Sequence, residues 1–285
     1  MNVRWGATGG RWKNNMPELP EVETVKNDLS PYVIGRTITG ITAIWPGTIK
    51  QATAEEFTLR VSGQKITGLT RRGKYLFFHL SNGEFLVAHL KMSGSLFLGS
   101  FEPPKYTRII IHLDNGQNIY FRDPRKFGML KLIANADEII SKLGPEPIDK
   151  DFSVQIFADR LKNRKAPIKA LLLDQKFLAG VGNMYADEAL YLARIHPERV
   201  SGKLTLQEVR RLYRALKDVL KAGIASKGAS IVTYYRPDGS TGKAHFQFNV
   251  AHGMRDTCKI CGGPINRIVV RGRGTYYCPR CQPKK

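Results

Sequence analysis

"CKICGGPINRIVVRGRGTYYCPRC", residues 258–281, holds all four cysteines of a 285-residue chain, spaced Cys258-x2-Cys261-x16-Cys278-x2-Cys281. Two CxxC turns put four thiolates at tetrahedral corners around one ion, and roughly 15 to 20 residues between them suffice for a β-hairpin. Two disulfides would use the same residues, but a reducing cytosol disfavours them and the rest of the chain has no cysteine. The pattern predicts one zinc ion held by Cys258, Cys261, Cys278 and Cys281. Four protein ligands leave no position for water, so this zinc holds shape. What it holds is basic: from 255 to 285, Arg255, Lys259, Arg267, Arg271, Arg273, Arg280, Lys284 and Lys285 face the single acid Asp256. A zinc-held basic hairpin reads as a nucleic-acid finger.

The charge extends over the whole chain. There are 45 Lys+Arg against 24 Asp+Glu, a formal net charge of +21. Such an excess costs self-repulsion, and it points to a polyanionic partner. Nucleic acid fits better than membrane: no apolar run reaches the roughly 18 residues that span a bilayer, and residues 1–15 lack the apolar core of a secretory signal. A cytoplasmic protein is expected. Its length is ample to bury a core.

Upstream of the finger the pattern is helical. In "TLQEVRRLYRALKDVLKAGIA", Leu206, Val209, Leu212, Tyr213, Leu216, Val219 and Leu220 recur at helical spacing, with arginines and lysines on the other face. From about residue 36 to 133 the chain reads instead as β structure. Runs such as "KYLFFHL", "EFLVAHL", "YTRIIIHL" and "QNIYFR" are separated by "SNG" and "DNG", which are hairpin turns. Regular short strands suggest a sandwich or flattened barrel, preceded by a helix starting near Pro20. "LGPEPI" at 143–148 marks the change between the two regimes.

Two stretches look specialised. "DQKFLAGVGNMYADEALYLARIHP" joins helical segments through a Gly-rich turn whose backbone amides, with Asn183, suit a phosphate; a plain helix-packing joint would look similar. "HLKMSGS" and "DPRKFG" place Met92, Arg125 and Phe127 at or near strand ends, where an apolar wedge and a guanidinium could enter a base stack. Spacing alone favours the plainer reading of Met92 and Phe127 as core residues.

Taken in order, "MPELPEVETV", "RRGKYL", "HLKMSGS", "DPRKFG", "GVGNMYADEAL" and "GRGTYYCPRCQ" closely resemble the formamidopyrimidine-DNA glycosylases, from residue 16 to about 282. The resemblance implies an α+β multidomain protein: an N-terminal β-sandwich catalytic domain over 16–145, a helix-two-turns-helix DNA-binding domain over 146–254 and a zinc-finger β-hairpin over 255–285. It implies a monomer that excises oxidised purines such as 8-oxoguanine from damaged double-stranded DNA and then cuts the strand. Pro17 matches the proline whose free amine attacks C1′ of the damaged nucleotide, and Glu18 the acid managing protons there. Lys74 matches the lysine assisting β-elimination, and Arg273 the arginine associated with δ-elimination and phosphate binding. Lys169 and Asn183, with Arg164, would grip DNA phosphates, while Met92, Arg125 and Phe127 would fill the gap left by the flipped base. Each charged residue could otherwise be a solvated surface group. Tyr106 stands where some relatives have a histidine DNA contact.

Proline suits that chemistry. An α-amino group with a pKa near 8 has an appreciable neutral fraction at pH 7, and a secondary amine yields an iminium that stays cationic through elimination. Attached to Met16, the same nitrogen is an amide whose lone pair is delocalised. The extension "MNVRWGATGGRWKNN", residues 1–15, shows no sign of a folded element or transit peptide, and translation from Met16 is expected to give the active enzyme. Two other readings follow from the same residues. An endonuclease VIII-like enzyme for oxidised pyrimidines would share the proline, though "PELPEVET" and the Met92, Arg125, Phe127 set argue against it, and retention of residues 1–15 would leave a lesion-binding protein without catalysis.

Overall fold

The computed structural model describes residues 16–230 and 234–284; the expectations for residues 1–15 lie outside that range. The chain opens with helix α1 (Leu19–Val33), followed by β1 (Ile38–Ala43), β2 (Ile49–Lys50), α2 (Ala54–Val61), β3 (Ile66–Arg72), β4 (Tyr75–Leu80), β5 (Phe85–His89), β6 (Ser95–Gly99), β7 (Thr107–Leu113), β8 (Asn118–Arg122) and β9 (Met129–Ile133). Helices α3 (Asp137–Ile140), α4 (Val154–Leu161), α5 (Ile168–Leu172), α6 (Asn183–Ala193) and α7 (Leu206–Ala225) come next, and the hairpin β10 (Asn266–Val270) and β11 (Arg273–Tyr277) follows them.

Strands β1 to β9 form two sheets, β1-β7-β8-β6 and β2-β9-β5-β4-β3, with an apolar core drawn from both. The "SNG" and "DNG" turns close the antiparallel pairs β4–β5 and β7–β8, as their sequences require. The sandwich reading of residues 36–133 holds with one correction: α2 is inserted among the strands. Thr53 caps it, accepting from the Glu56 amide at 3.1 Å while the Glu56 carboxylate accepts from the Thr53 amide at 2.9 Å. That reciprocal box is a helix-start signal that β-branched patterning hides.

Helix α1 ties the two halves together. Val22, Val25, Leu29 and Val33 form its inward stripe and lie in the sandwich core, whereas Leu19, one turn earlier, belongs to the core of α4–α7. Burying each such side chain contributes about 1.5–3 kcal/mol. Tyr234, from beyond α7, returns to the sandwich core. The "LGPEPI" segment is equally fixed. Arg71 donates to both Glu146 oxygens at 2.8 and 2.7 Å, and the Gly73 amide donates to the same carboxylate at 2.6 Å. Gly73 adopts φ +58°, which sharpens the β3–β4 turn and presents Lys74 next to it.

Candidate active site

A cleft of about 340 Å³ opens where the sandwich, the start of α6 and the β10–β11 turn meet, lined by Glu18, Lys74, Met92, Asn183 and Arg273 among others. Met16 also lines it, and Pro17 is buried behind. The first residues of α1 are seated in a socket made by "GVG", residues 180–182. The Leu19 amide donates to the Gly180 carbonyl at 3.0 Å, and the Glu18 carboxylate accepts from the amides of Met184 at 2.9 Å and Tyr185 at 3.5 Å. A helix N-terminus is a natural seat for an anion, and here a carboxylate of the chain itself occupies it. The glycines serve that approach: a Cβ on Gly182 would lie 2.2 Å from Glu18 Cδ, and one on Gly180 2.5 Å from Leu19 Cδ1. The turn read as a phosphate cradle is thus filled by Glu18 and Leu19.

Burial dominates the electrostatics. It pushes the Glu18 carboxyl up, against the pull of the Lys74 ammonium and the α6 amides. It pulls Lys74 down, opposed by Glu18 and Glu21. Glu21, which the sequence did not single out, is the third member. Its carboxylate accepts from the Glu18 amide at 2.8 Å, the Tyr185 hydroxyl at 2.9 Å and the Ala229 amide at 2.7 Å, and burial followed by the charge of Glu18 pushes it up to about 7. The "PE-x-x-E" spacing of a capping box was the signal available for it. Two buried acids and a buried lysine can hold and exchange protons beside the cleft.

The finger docks through α5 and α6. Lys169 is fully buried and turned inward: its ammonium lies 2.6 Å from Asp187 and donates to Thr275 Oγ1 at 2.7 Å and the Gly274 carbonyl at 3.1 Å. Asp187 in turn accepts from the Tyr276 amide at 3.1 Å, and Asn183 Nδ2 donates to the Gly274 carbonyl at 3.0 Å. These contacts fix β11 on α6 and leave Arg273 exposed at the cleft rim. Asp187, four residues beyond Asn183 and so on the same helical face, had no distinguishing pattern in the sequence.

Met92, Arg125 and Phe127 come together on two adjoining loops. Asp123 joins them: it accepts from the Ser93 hydroxyl, from the Arg125 amide at 3.1 Å and from the Gly128 amide at 2.6 Å. Phe127 is 50 % exposed with the Arg125 guanidinium 4.9 Å from its ring centre, and Met92 is half-buried in the cleft wall, so neither apolar residue is core. Tyr106, exposed at φ +72°, accepts the Asp123 amide on its carbonyl at 3.0 Å, and Lys105, Arg108 and Arg122 surround its ring. Trp45, unremarked in the sequence, stacks under the Lys126 ammonium at 3.6 Å. Arg164 stands apart from the cleft, exposed after α4.

The four cysteine sulfurs lie within 4.8 Å of one another, with Cys258–Cys281 at 3.8 Å and Cys261–Cys278 at 3.5 Å. A tetrahedron of 2.3 Å zinc–sulfur bonds has edges of about 3.8 Å, so the set fits one zinc ion. Amides of Ile260 and Cys281 point at the sulfurs of Cys258 and Cys278 and would moderate thiolate charge.

A β-sandwich, a helical unit and a thiolate finger converge on one basic cleft with buried acids, an arrangement suited to acid–base chemistry on a nucleic acid. Comparison with known proteins agrees. Three family models match in order: the formamidopyrimidine-DNA glycosylase N-terminal domain over residues 16–130, its H2TH domain over 143–235, and the zinc finger found in FPG and IleRS over 256–284. Formamidopyrimidine-DNA glycosylases of Protochlamydia amoebophila and Chloroflexus aurantiacus are each 42% identical, covering 94% of this chain and 100% and 98% of their own. The MutM (FPG) protein of Thermus thermophilus superposes with a TM-score of 0.86 at 42% identity, covering 94% of this chain and 100% of its own. A mutant Lactococcus lactis FPG in complex with a Fapy-dG-containing DNA gives a TM-score of 0.87 at 37% identity, with the same coverage. The chain belongs to the formamidopyrimidine-DNA glycosylase family.

Proposed function

We propose that this chain removes oxidised purines, 8-oxoguanine and formamidopyrimidines, from duplex DNA and cleaves the resulting site by β,δ-elimination, with Pro17 as nucleophile. The observation that carries the reading is the seating of Pro17-Glu18 at the start of α6 beside buried Lys74, in the cleft that Arg273 closes from the finger. With its nitrogen free, Pro17 donates a lone pair to C1′, and the base leaves with the glycosidic electrons. Ring opening gives an iminium. Glu18, whose carboxyl burial pushes up, supplies a proton at the sugar. Loss of a C2′ proton breaks the C3′–O bond, assisted by Lys74, whose lowered pKa favours the neutral amine. Loss of a C4′ proton then breaks the C5′–O bond, with Arg273 on the departing phosphate. Water releases the sugar fragment and regenerates the amine.

Met92, Arg125 and Phe127 enter the duplex from the opposite wall and replace the stacking lost when the nucleotide turns out, worth a few kcal/mol. Asn183, Arg164 and Tyr106 contact the DNA backbone. Lys169 supports DNA binding through the finger: its buried pair with Asp187 positions the strand that carries Arg273. The protein acts as a monomer in the cytoplasm; no helix among the described residues is long and apolar enough to cross a membrane. The experiment is borohydride trapping on an 8-oxoguanine duplex with protein that begins at Pro17. A covalent complex lost in Pro17→Gly with an acetylated terminus is expected, and trapping that survives that change would reject the assignment.

A further inference from the structure

A second cavity, of about 660 Å³, lies between the C-terminal end of α6, the first turn of α7 and the cysteine turns of the finger. Its position is separate from the active cleft: α6 runs from Asn183 at the cleft to Ala193 at this cavity, roughly 16 Å at 1.5 Å per residue. The walls carry Arg194, Arg199, Arg211 and Arg280. Arg199 pairs with Glu208 at 3.3 Å and Arg211 donates to the Ala193 carbonyl at 3.1 Å, whereas Arg194 and Arg280 have no acidic partner among the described residues. Glu208 is the one carboxylate among the described lining residues, and it is occupied by Arg199 and by the Thr205 amide at 2.8 Å. Between the arginines lie two aliphatic side chains, Leu192 and Ile260, 45 % and 48 % exposed.

Arginines with their forks open around exposed aliphatic surface present two kinds of complementarity at once. A phosphodiester backbone would satisfy the guanidiniums and leave Leu192 and Ile260 against water. A peptide that alternates carboxylates with aliphatic side chains satisfies both, since Arg takes carboxylates two bonds at a time and the apolar floor takes the anchor. We propose that this cavity docks an acidic, aliphatic-anchored segment of a partner protein while the cleft on the far end of α6 holds DNA. The site needs the folded finger, because Ile260 and Arg280 lie inside the two CxxC turns. It does not depend on the catalytic reading.

The test is fluorescence polarisation of a labelled ten-residue peptide alternating aspartate and leucine. The protein is the zinc-loaded full chain, saturated beforehand with a tetrahydrofuran-containing duplex so that the cleft is occupied. Saturable binding is expected, weakened at least tenfold both by R194E and by L192S/I260S, with zinc content and duplex affinity unchanged in both variants. Absence of binding once duplex is present would overturn the proposal, as would equal binding by either variant. Displacement of the peptide by oligothymidylate at lower concentration than by unlabelled peptide would assign the cavity to nucleic acid instead, and overturn it too.

Discussion

Gly182→Ala adds one methyl group, and the structure says where it goes. The new Cβ would stand 2.2 Å from Glu18 Cδ, 2.5 Å from Cγ and 2.6 Å from Oε1. Gly182 itself has φ −130° and ψ −164°, an extended conformation open to alanine, so the perturbation is the contact alone. Carbon atoms rest about 3.5–4.0 Å apart, which obliges the Glu18 carboxyl to retreat by more than about 1 Å. The hydrogen bond to the Met184 amide, now 2.9 Å, cannot survive that, and bonds to charged groups are worth about 1.5–3 kcal/mol. A misplacement of about 1 Å at a catalytic group costs about 100-fold. We therefore expect single-turnover excision of 8-oxoguanine by Pro17-initiated protein to fall by about 100-fold in Gly182→Ala, close to the effect of Glu18→Gln. Affinity for a tetrahydrofuran duplex should stay within about threefold, because Arg125, Asn183 and Arg273 are untouched. Excision at the unmodified rate would show that Glu18 is not used where the structure seats it.

The 285-residue chain, with Pro17 acylated by Met16, should bind lesion duplex yet give no borohydride-trapped complex, while protein starting at Pro17 should trap; intact mass must confirm each form, and equal trapping would remove Pro17 as nucleophile. Cys261→Ser should lose zinc and duplex affinity, with the sandwich still folded by circular dichroism; full affinity without zinc would contradict the finger's role. Duplex affinity should fall with salt at a slope of about 0.9 per phosphate neutralised, and a salt-independent constant would exclude phosphate contact. Because burial holds Glu21 at about 7 against an ordinary 4.5, the folded chain keeps a proton there that the unfolded chain releases; stability is full below about 4.5 and declines as pH rises through about 7, by about 3 kcal/mol at most. Thermal denaturation of Glu21→Gln should lack that decline, and an identical pH profile would refute it.

What the sequence disclosed follows from how local each signal is. The zinc set was readable because metal ligation is written in spacing, and the β4–β5 and β7–β8 pairs because "SNG" and "DNG" name their own turns. Helix α2 was missed although "TAEE" carries its cap, since the surrounding strands set the expected period. Lys169 stood out in the sequence, but its direction did not: its partner Asp187 sits on another helix, and only tertiary packing turns the ammonium inward. Whether Met92 and Phe127 face core or cleft depends on Asp123 drawing two loops together, a contact between residues 30 apart in sequence. Glu21 and Trp45 look ordinary for the same reason.

The exchange of residues between the two cores also bears on how the molecule comes apart. Leu19 fills a place among the helices and Tyr234 a place within the sandwich, while Glu146 is locked to the β3–β4 turn. Severing the chain after residue 145 would leave the sandwich lacking Tyr234 and the helices lacking Leu19, each fragment with an unfilled hole in its interior. The two halves are therefore expected to unfold together, so denaturant curves read from the sandwich and from the helices should coincide. Loss of either core disturbs the start of α1, where Leu19 and Val22 stand one turn apart in different cores.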